Sequence, residues 1–210
     1  MDSSLALCCR GRFVNWAAAG FLLAAVAGGR AENLSLEPAA EPDRDAVTDD
    51  GGPRPGSFSF ESAGARFGAG ASSSNRDFHQ AEAFVDWNLP WHWDLGKKWG
   101  LESRLDLSGG WLGNSRANAA VATLVPLLAL GREGIPISIE GGSGPTVLSR
   151  SDFETKDFGD LVQFTSHIGF YWDIAKHWRA SYRFQHMSNA GISESNPGIN
   201  LHVLALSYRF

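Results

Sequence analysis

The sequence predicts an all-β fold, an eight-stranded antiparallel transmembrane β-barrel of the bacterial outer membrane, and three observations support it. The last ten residues, 201–210 (LHVLALSYRF), place apolar and aromatic side chains on one face and end on Phe210, as the closing strand of such barrels does. Residues 57–210 carry seven of the eight tryptophans, most of them beside predicted strand ends, and amphipathic rings favour membrane interfaces. The same region lacks a run of about 18 apolar residues, so it offers no candidate membrane helix.

Residues 1–31 are predicted to be a signal peptide. Two arginines precede a mostly apolar stretch, 13–27, whose end, Ala-Val-Ala at 25–27, is a small-x-small cleavage site. The stretch is short for a bilayer core of about 30 Å. Both cysteines of the chain fall within residues 1–31, so the mature protein would have no disulfide, no cysteine nucleophile and no thiolate metal site.

Residues 32–56 are predicted to be an acidic, disordered linker. They contain seven acidic residues and two arginines, with proline and glycine throughout. Such a segment has too little apolar surface to offset the entropy lost on ordering. Without residues 1–31 the chain keeps 15 basic and 22 acidic residues, a formal charge of −7, which argues against a nucleic-acid-binding surface.

Residues 57–210 are predicted to form one domain, the barrel. Alternation of apolar and polar residues, together with turn residues, divides it into eight segments of membrane-spanning length. The predicted strands are 60–72, 78–89, 99–112, 117–130, 136–149, 160–173, 177–188 and 200–210. A soluble β-sandwich or lipocalin has a similar size, but the tryptophans and the terminal phenylalanine favour a bilayer.

The connections between the predicted strands alternate in character. Three short turns, at 89–98, 131–135 and 173–176, are assigned to the periplasmic side. Four loops, at 73–77, 113–116, 150–159 and 189–199, are assigned to the outside. An even number of strands puts both ends of the barrel on the periplasmic side. Eight strands leave an interior that side chains fill, so we expect no pore.

Alternation along strand seven assigns its side chains to two faces. The lipid-facing set is Trp178, Ala180, Tyr182 and Phe184, and the interior set is Arg179, Ser181, Arg183 and Gln185. Continuing the outward set places His186 and Ser188 on the lipid face at the extracellular end of the strand. Counting back by twos from Phe210 places Asn200 on the same face of the neighbouring strand. Three polar side chains therefore converge on a surface where an unpaired polar group costs free energy.

The spacing of these residues suits nucleophilic catalysis. His-x-Ser puts the imidazole and the hydroxyl on one strand face, about 6–7 Å apart along the backbone. Side chains can bridge that distance, so His186 could take the Ser188 proton while Asn200 fixes the ring tautomer. The alternative is structural, because these residue types are also tolerated near lipid headgroups without any chemistry.

Two segments near the C-terminus resemble the motif of a known family. They are residues 186–192 (HMSNAGI) and 196–200 (NPGIN), and they are similar to the C-terminal motif of the lipid A 3-O-deacylases of the PagL type. That family consists of eight-stranded outer-membrane barrels that remove the 3-position acyl chain of lipid A. The resemblance implies Ser188 as nucleophile and His186 as general base, with Asn189 and Gly191 where oxyanion-stabilising donors are expected.

The chain departs from the family pattern at one position, where glutamate is replaced by Asn200. An amide cannot stabilise an imidazolium by charge, but its carbonyl oxygen can orient the ring, as in the similar His-x-Ser and asparagine arrangement of outer-membrane phospholipase A. Glu194 is an alternative source of a carboxylate.

The resemblance implies lipid A, or lipopolysaccharide, in the outer leaflet as the substrate, with membrane lipids as surroundings and with neither a cofactor nor a metal. The alternatives are a non-catalytic structural or binding barrel and a phospholipase or esterase of other specificity. A homodimer is left open.

Overall fold

The structure of the protein is a computed structural model that describes residues 57–210. The predicted signal peptide and acidic linker lie outside these residues. The eight strands are β1 (Ser59–Gly70), β2 (His79–Gly96), β3 (Trp99–Gly113), β4 (Asn118–Arg132), β5 (Ile137–Leu148), β6 (Val162–Ala175), β7 (Trp178–Ser188) and β8 (Ile199–Arg209). No helix within 57–210 has the length and apolar character needed to cross a bilayer.

Every strand pairs antiparallel with its neighbours in chain order, and β8 pairs with β1 to close the barrel. Closure removes the strand edges where all eight strands are paired, so the backbone polar groups of the spanning region are paired within the sheet. The predicted eight-stranded antiparallel barrel is confirmed. We refer to the end where β1 begins and β8 finishes as the terminal end, and to the opposite end as the loop end.

The second strand is longer than the sequence analysis predicted. β2 continues to Gly96, seven residues past the predicted end at 89, and the turn is made by Lys97 and Lys98, both with positive φ. Pro90 suggested a break, but β1 pairs with β2 only as far as Asn88. Beyond that point β2 has no partner on the β1 side, so the missing N–H of a proline can be accommodated without loss of a ladder hydrogen bond.

The two faces of β7 agree with the predicted alternation. Trp178 and Phe184 are exposed on the outer surface, whereas Arg179, Arg183 and Gln185 are buried inside the barrel. The outer surface also exposes the alternate apolar residues of β8 and the terminal residue: Leu204, Leu206, Tyr208 and Phe210.

The interior from the middle of the barrel to the terminal end holds a network of charged side chains. Arg66 contacts Glu82 at 2.5 Å and Asp106 at 2.6 Å, and all three are buried. Arg183 from β7 lies 3.6 Å from the same Asp106, and Arg179 lies 3.3 Å from Glu61 on β1. A cavity of about 20 Å³ lies among these side chains, with room for about one water molecule.

The interior near the loop end contains an apolar cluster beside a few buried polar side chains such as Gln80 and Gln185. The buried residues of the cluster come from five strands and from the loops that fold over the opening: Phe78, Leu112, Ala117, Ala119, Val121, Leu148, Phe153, Phe158, Met187, Ile199, Leu201 and Val203. Phe78, Phe153 and Phe158 pack ring against ring, with centroids 5.4–6.0 Å apart. This apolar cluster lies behind the last residues of β7 and the first residues of β8 and holds that part of the wall in place.

Replacing Arg66 with methionine is expected to lower the free energy of unfolding by about 3–5 kcal/mol, because Glu82 and Asp106 would keep buried charges without their nearest cation. The matched control is Lys98→Met, whose ion pair with Glu133 at 3.6 Å is exposed and worth about 1 kcal/mol or less. Urea titrations of both variants in lipid vesicles, followed by tryptophan fluorescence, measure the difference. Equal stabilities would contradict the assigned role of the network.

Candidate active site

The three predicted residues lie together on the outer surface of the loop end. His186 and Ser188 occupy the last positions of β7, and Asn200 is the second residue of β8. The backbone pairs His186 directly with Asn200 across the two strands. All three side chains are half-buried. The structure therefore places them on one face, as alternation predicted.

A hydrogen bond joins His186 to Asn200, with 2.7 Å between Nδ1 and Oδ1. An amide oxygen only accepts hydrogen bonds, so Nδ1 is the donor and carries the proton of the neutral ring. The other nitrogen, Nε2, is then left with a free lone pair. A general base needs such a free lone pair on the ring nitrogen that is not bonded to its orienting partner.

Gly198 determines the space on the other side of the imidazole. A side-chain Cβ at this position would lie 3.0 Å from Cε1 and 3.6 Å from Nε2 of His186, and the glycine has a φ of 57°. Extending the β7–β8 register by two residues from the His186–Asn200 pair puts Gly198 level with Ser188. The Cε1–Nε2 edge of the ring therefore lies against Gly198, level with Ser188, and a residue with a side chain at 198 would crowd it.

The Ser188 hydroxyl forms no side-chain hydrogen bond within residues 57–210, neither to His186 nor to another residue, and the Ser188 backbone pairs with Phe164 of β6. His186 is two residues away on the same strand face, about 6–7 Å along the backbone. The neighbouring inward residue, Met187, is buried in the apolar cluster and fixes this part of β7.

The chain leaves β7 through a tight turn of residues 189–192. Ala190 and Gly191 both have positive φ, 54° and 84°, and the Ile192 N–H donates to the Asn189 carbonyl at 3.1 Å. Positive φ at both central residues is the signature of a type I′ turn. A left-handed alanine is strained by about 1–2 kcal/mol, and such strain is frequent beside functional groups.

The Asn189 side chain holds this turn to the rest of the loop end. It is fully buried, and its amide nitrogen lies within hydrogen-bonding distance of three acceptors, the carbonyls of Phe158 at 2.9 Å and Ser195 at 2.7 Å and the Ser193 hydroxyl at 2.5 Å, for its two N–H donors. Its Oδ1 accepts from the Gly191 N–H at 2.9 Å. The polar groups of this amide are therefore occupied within the protein.

The donors predicted at Asn189 and Gly191 are both in use. The Asn189 N–H donates to Asn196 Oδ1 at 3.1 Å, and the Gly191 N–H donates to Asn189 Oδ1. Between them, the Ala190 N–H has no acceptor in the described part of the chain. The sequence analysis did not single out Ala190, although the Asn-Ala-Gly run is a turn signal that pointed to these backbone groups.

The predicted alternative acid is not brought to the imidazole. Glu194 lies exposed in the loop between β7 and β8 and forms neither an ion pair nor a hydrogen bond with any described residue. Nδ1 of His186 is already bonded to Asn200. His202, one step along the outward face of β8, is bonded through its own Nδ1 to the Tyr182 hydroxyl at 2.8 Å.

Lys156 is a residue of the site region that the sequence analysis missed. Its ammonium donates to the Gly198 carbonyl at 2.9 Å and to Asn75 Oδ1 at 2.5 Å, so it joins three loops of the loop end. Burial lowers the pKa of this ammonium below its usual range. The contact holds Gly198 against the His186 ring. Nothing local in the sequence identifies it, because its partners are 81 and 42 residues away.

Comparisons with known proteins agree on one family. Residues 79–209 match the family model described as lipid A 3-O-deacylase (PagL). The chain is also similar to the lipid A deacylase PagL of Bordetella bronchiseptica, with 33% identity over 139 residues, which are 63% of this chain and 78% of that protein. Its fold is similar to the crystal structure of the outer membrane enzyme PagL, with a TM-score of 0.61 and 22% identity over 70% of this chain and 97% of the other.

Proposed function

The chain belongs to the lipid A 3-O-deacylase (PagL) family, and on that basis we propose that it is an outer-membrane esterase that hydrolyses the 3-O-linked acyl chain of lipid A with Ser188 as nucleophile. His186 is the general base and Asn200 the residue that orients it. The observation that carries this assignment is the 2.7 Å hydrogen bond between His186 and Asn200 on the same outward face as Ser188.

In the first half of the reaction, His186 Nε2 takes the hydroxyl proton as Ser188 Oγ attacks the ester carbonyl carbon. The tetrahedral intermediate collapses when the bond between the carbonyl carbon and the sugar oxygen breaks. The imidazolium returns its proton to that sugar oxygen, and the acyl group stays on Ser188. Asn200 keeps Nδ1–H in place throughout, by its carbonyl dipole and without a charge.

The oxyanion of the intermediate needs donors close to Ser188. The Ala190 N–H, two residues further along the chain, is the backbone donor of the turn that has no acceptor within the described residues. We assign it the first contact with the oxyanion. Donation from Asn189 or Gly191, as the family resemblance implies, would first require their hydrogen bonds within the loop to open.

In the second half, His186 takes a proton from water, which attacks the acyl carbonyl carbon and forms a second tetrahedral intermediate. The bond to Ser188 Oγ then breaks, and the proton returns from the imidazolium to the serine. The product is a free fatty acid. Two easier steps thus replace one difficult step, which is the usual advantage of a covalent intermediate.

A site on the outer wall of a barrel suits a substrate that stays in the membrane. Lipid A, the anchor of lipopolysaccharide, reaches such a site by lateral diffusion in the outer leaflet, with its sugars at headgroup level and its acyl chains along the apolar wall. Export through the predicted signal peptide of residues 1–31 would deliver the chain to that membrane.

Mass analysis of lipid A tests the proposed reaction. The wild type, expressed in a host with intact lipopolysaccharide, is expected to remove one acyl chain, and Ser188→Ala and His186→Ala should slow this about 10⁴-fold or more. The matched control is His202→Ala, which removes a second imidazole from the same face and should remain active.

Three outcomes of this experiment count against the proposal. Unchanged lipid A together with hydrolysis of phospholipid would indicate an esterase of other specificity. Unchanged lipid A and phospholipid, with a folded wild-type barrel, would indicate a non-catalytic protein. Full activity in Ser188→Ala would exclude Ser188 as the nucleophile.

Two further variants distinguish the orienting residues. Asn200→Leu keeps a side chain of similar size but removes the acceptor of His186 Nδ1, so kcat is expected to fall about 100-fold or more through loss of the correct tautomer. Glu194→Gln should change kcat less than about twofold, because Glu194 has no contact with the ring. A larger loss in Glu194→Gln than in Asn200→Leu would reverse this assignment.

A further inference from the structure

Two serines extend the polar groups of the site sideways along the barrel wall. Ser166 of β6 is the backbone partner of His186, and Ser143 of β5 is the partner of Ser166. With Asn200 on the far side, the four residues form one row across four adjacent strands. We call this set the polar row: Ser143, Ser166, His186 and Asn200.

Both serines of the polar row face outward. The alternate residues of β6 on either side of Ser166 are Phe164 and Ile168, which are exposed on the apolar outer surface, and the inward neighbours Thr165 and His167 are buried. The Ser143 and Ser166 hydroxyls are hydrogen-bonded to each other at 2.8 Å, with either one as donor.

The serine pair retains unused hydrogen-bonding capacity. Two hydroxyls that share one hydrogen bond still have one free donor and several free lone pairs. In water, solvent would satisfy these free donors and acceptors at no cost. On a wall flanked by Phe164 and Ile168 the two hydroxyls face an apolar phase, where unmet hydrogen bonds are unfavourable. A ligand that carries its own hydroxyl at this depth would satisfy them.

The position of the Ser143–Ser166 pair relative to Ser188 determines which atom of a bound substrate could reach the pair. Phe164 is the partner of Ser188, so Ser166 lies one outward position further from the loop end, on the diagonal. Diagonal residues on neighbouring strands are separated by about 7–8 Å. An acyl chain whose carbonyl lies at Ser188 and whose tail runs toward the terminal end passes Ser166 within its first few carbons.

We propose that the Ser143–Ser166 pair binds the 3-hydroxyl group of the acyl chain that is removed and thereby selects 3-hydroxyacyl esters; this inference rests on the proposed function. The oxygen of the 3-hydroxyl group is two C–C bonds and one C–O bond, each of about 1.5 Å, from the carbonyl carbon. Adding an attack distance of about 3 Å at Ser188 and a hydrogen bond of about 2.8 Å at Ser166 spans the diagonal. Ser166 makes the contact, and Ser143 orients its hydroxyl.

The test measures how fast the purified full chain, in lipid vesicles, hydrolyses two defined substrates. Both are 2,3-diacylglucosamine 1-phosphates, and they differ only at the 3-position, which carries either a 3-hydroxytetradecanoyl or a tetradecanoyl ester. The wild type is expected to prefer the hydroxylated ester in kcat/KM by about tenfold, the value of one hydrogen bond.

Ser166→Ala should reduce this preference to about one by slowing only the hydroxylated ester, and it should change kcat/KM for the plain ester by less than about twofold, because that ester makes no such contact. Ser166→Thr keeps a hydroxyl and should retain the preference. The matched control is Tyr182→Phe, which removes another outward hydroxyl, bonded to His202, and should leave the ratio unchanged.

Failure of this inference can be told apart from failure of the proposed function. A wild type without preference, or an unchanged ratio in Ser166→Ala, overturns the role of the serine pair and leaves the hydrolase in place. Absence of hydrolysis of both esters by the folded wild type overturns the proposed function, and the serine assignment with it.

Discussion

Side-chain alternation in a closed barrel is the constraint on which the site depends. Because β8 pairs with β1, every backbone position in the spanning region is committed to two neighbours, and each side chain must point either into the barrel or out of it. His186 and Ser188 share the outward face of β7, and pairing with β8 brings Asn200 beside the imidazole. The site is therefore a property of the register between strands and not of any pocket.

The interior supports the site by being divided into two parts. From the middle of the barrel to the terminal end, buried ion pairs such as Arg66–Asp106 occupy the interior with groups that are costly to separate. Near the loop end, an apolar cluster packs against the back of β7 and β8 through Met187 and Ile199. The side chains that we propose as catalytic thus project from a wall with a rigid backing, on the outward face where a lipid substrate would approach.

The sequence predicted most of the fold and the shared outward face of His186 and Asn200, because both follow from the alternation of side chains along a strand. Counting by twos from Phe210 identified Asn200, and its bond to His186 followed from the pairing of consecutive strands. The predicted end of β2 was wrong because Pro90 is tolerated within the strand only where β1, its partner, has already ended. The length of a partner strand cannot be read from the local sequence. The loop contacts of Asn189 and Lys156 were missed for the same reason, since their partners lie in distant segments.

The tautomer of His186 is the most direct test of this account. With histidine labelled by ¹⁵N in lipid nanodiscs at about pH 8.5, where a free imidazole is neutral, the ring nitrogens of His186 report which one carries the proton. The hydrogen bond to Asn200 predicts a protonated Nδ1 and a free Nε2, with a mixture of both forms in Asn200→Leu. A proton fixed on Nε2 in the wild type, or spectra that do not change in Asn200→Leu, would contradict the account.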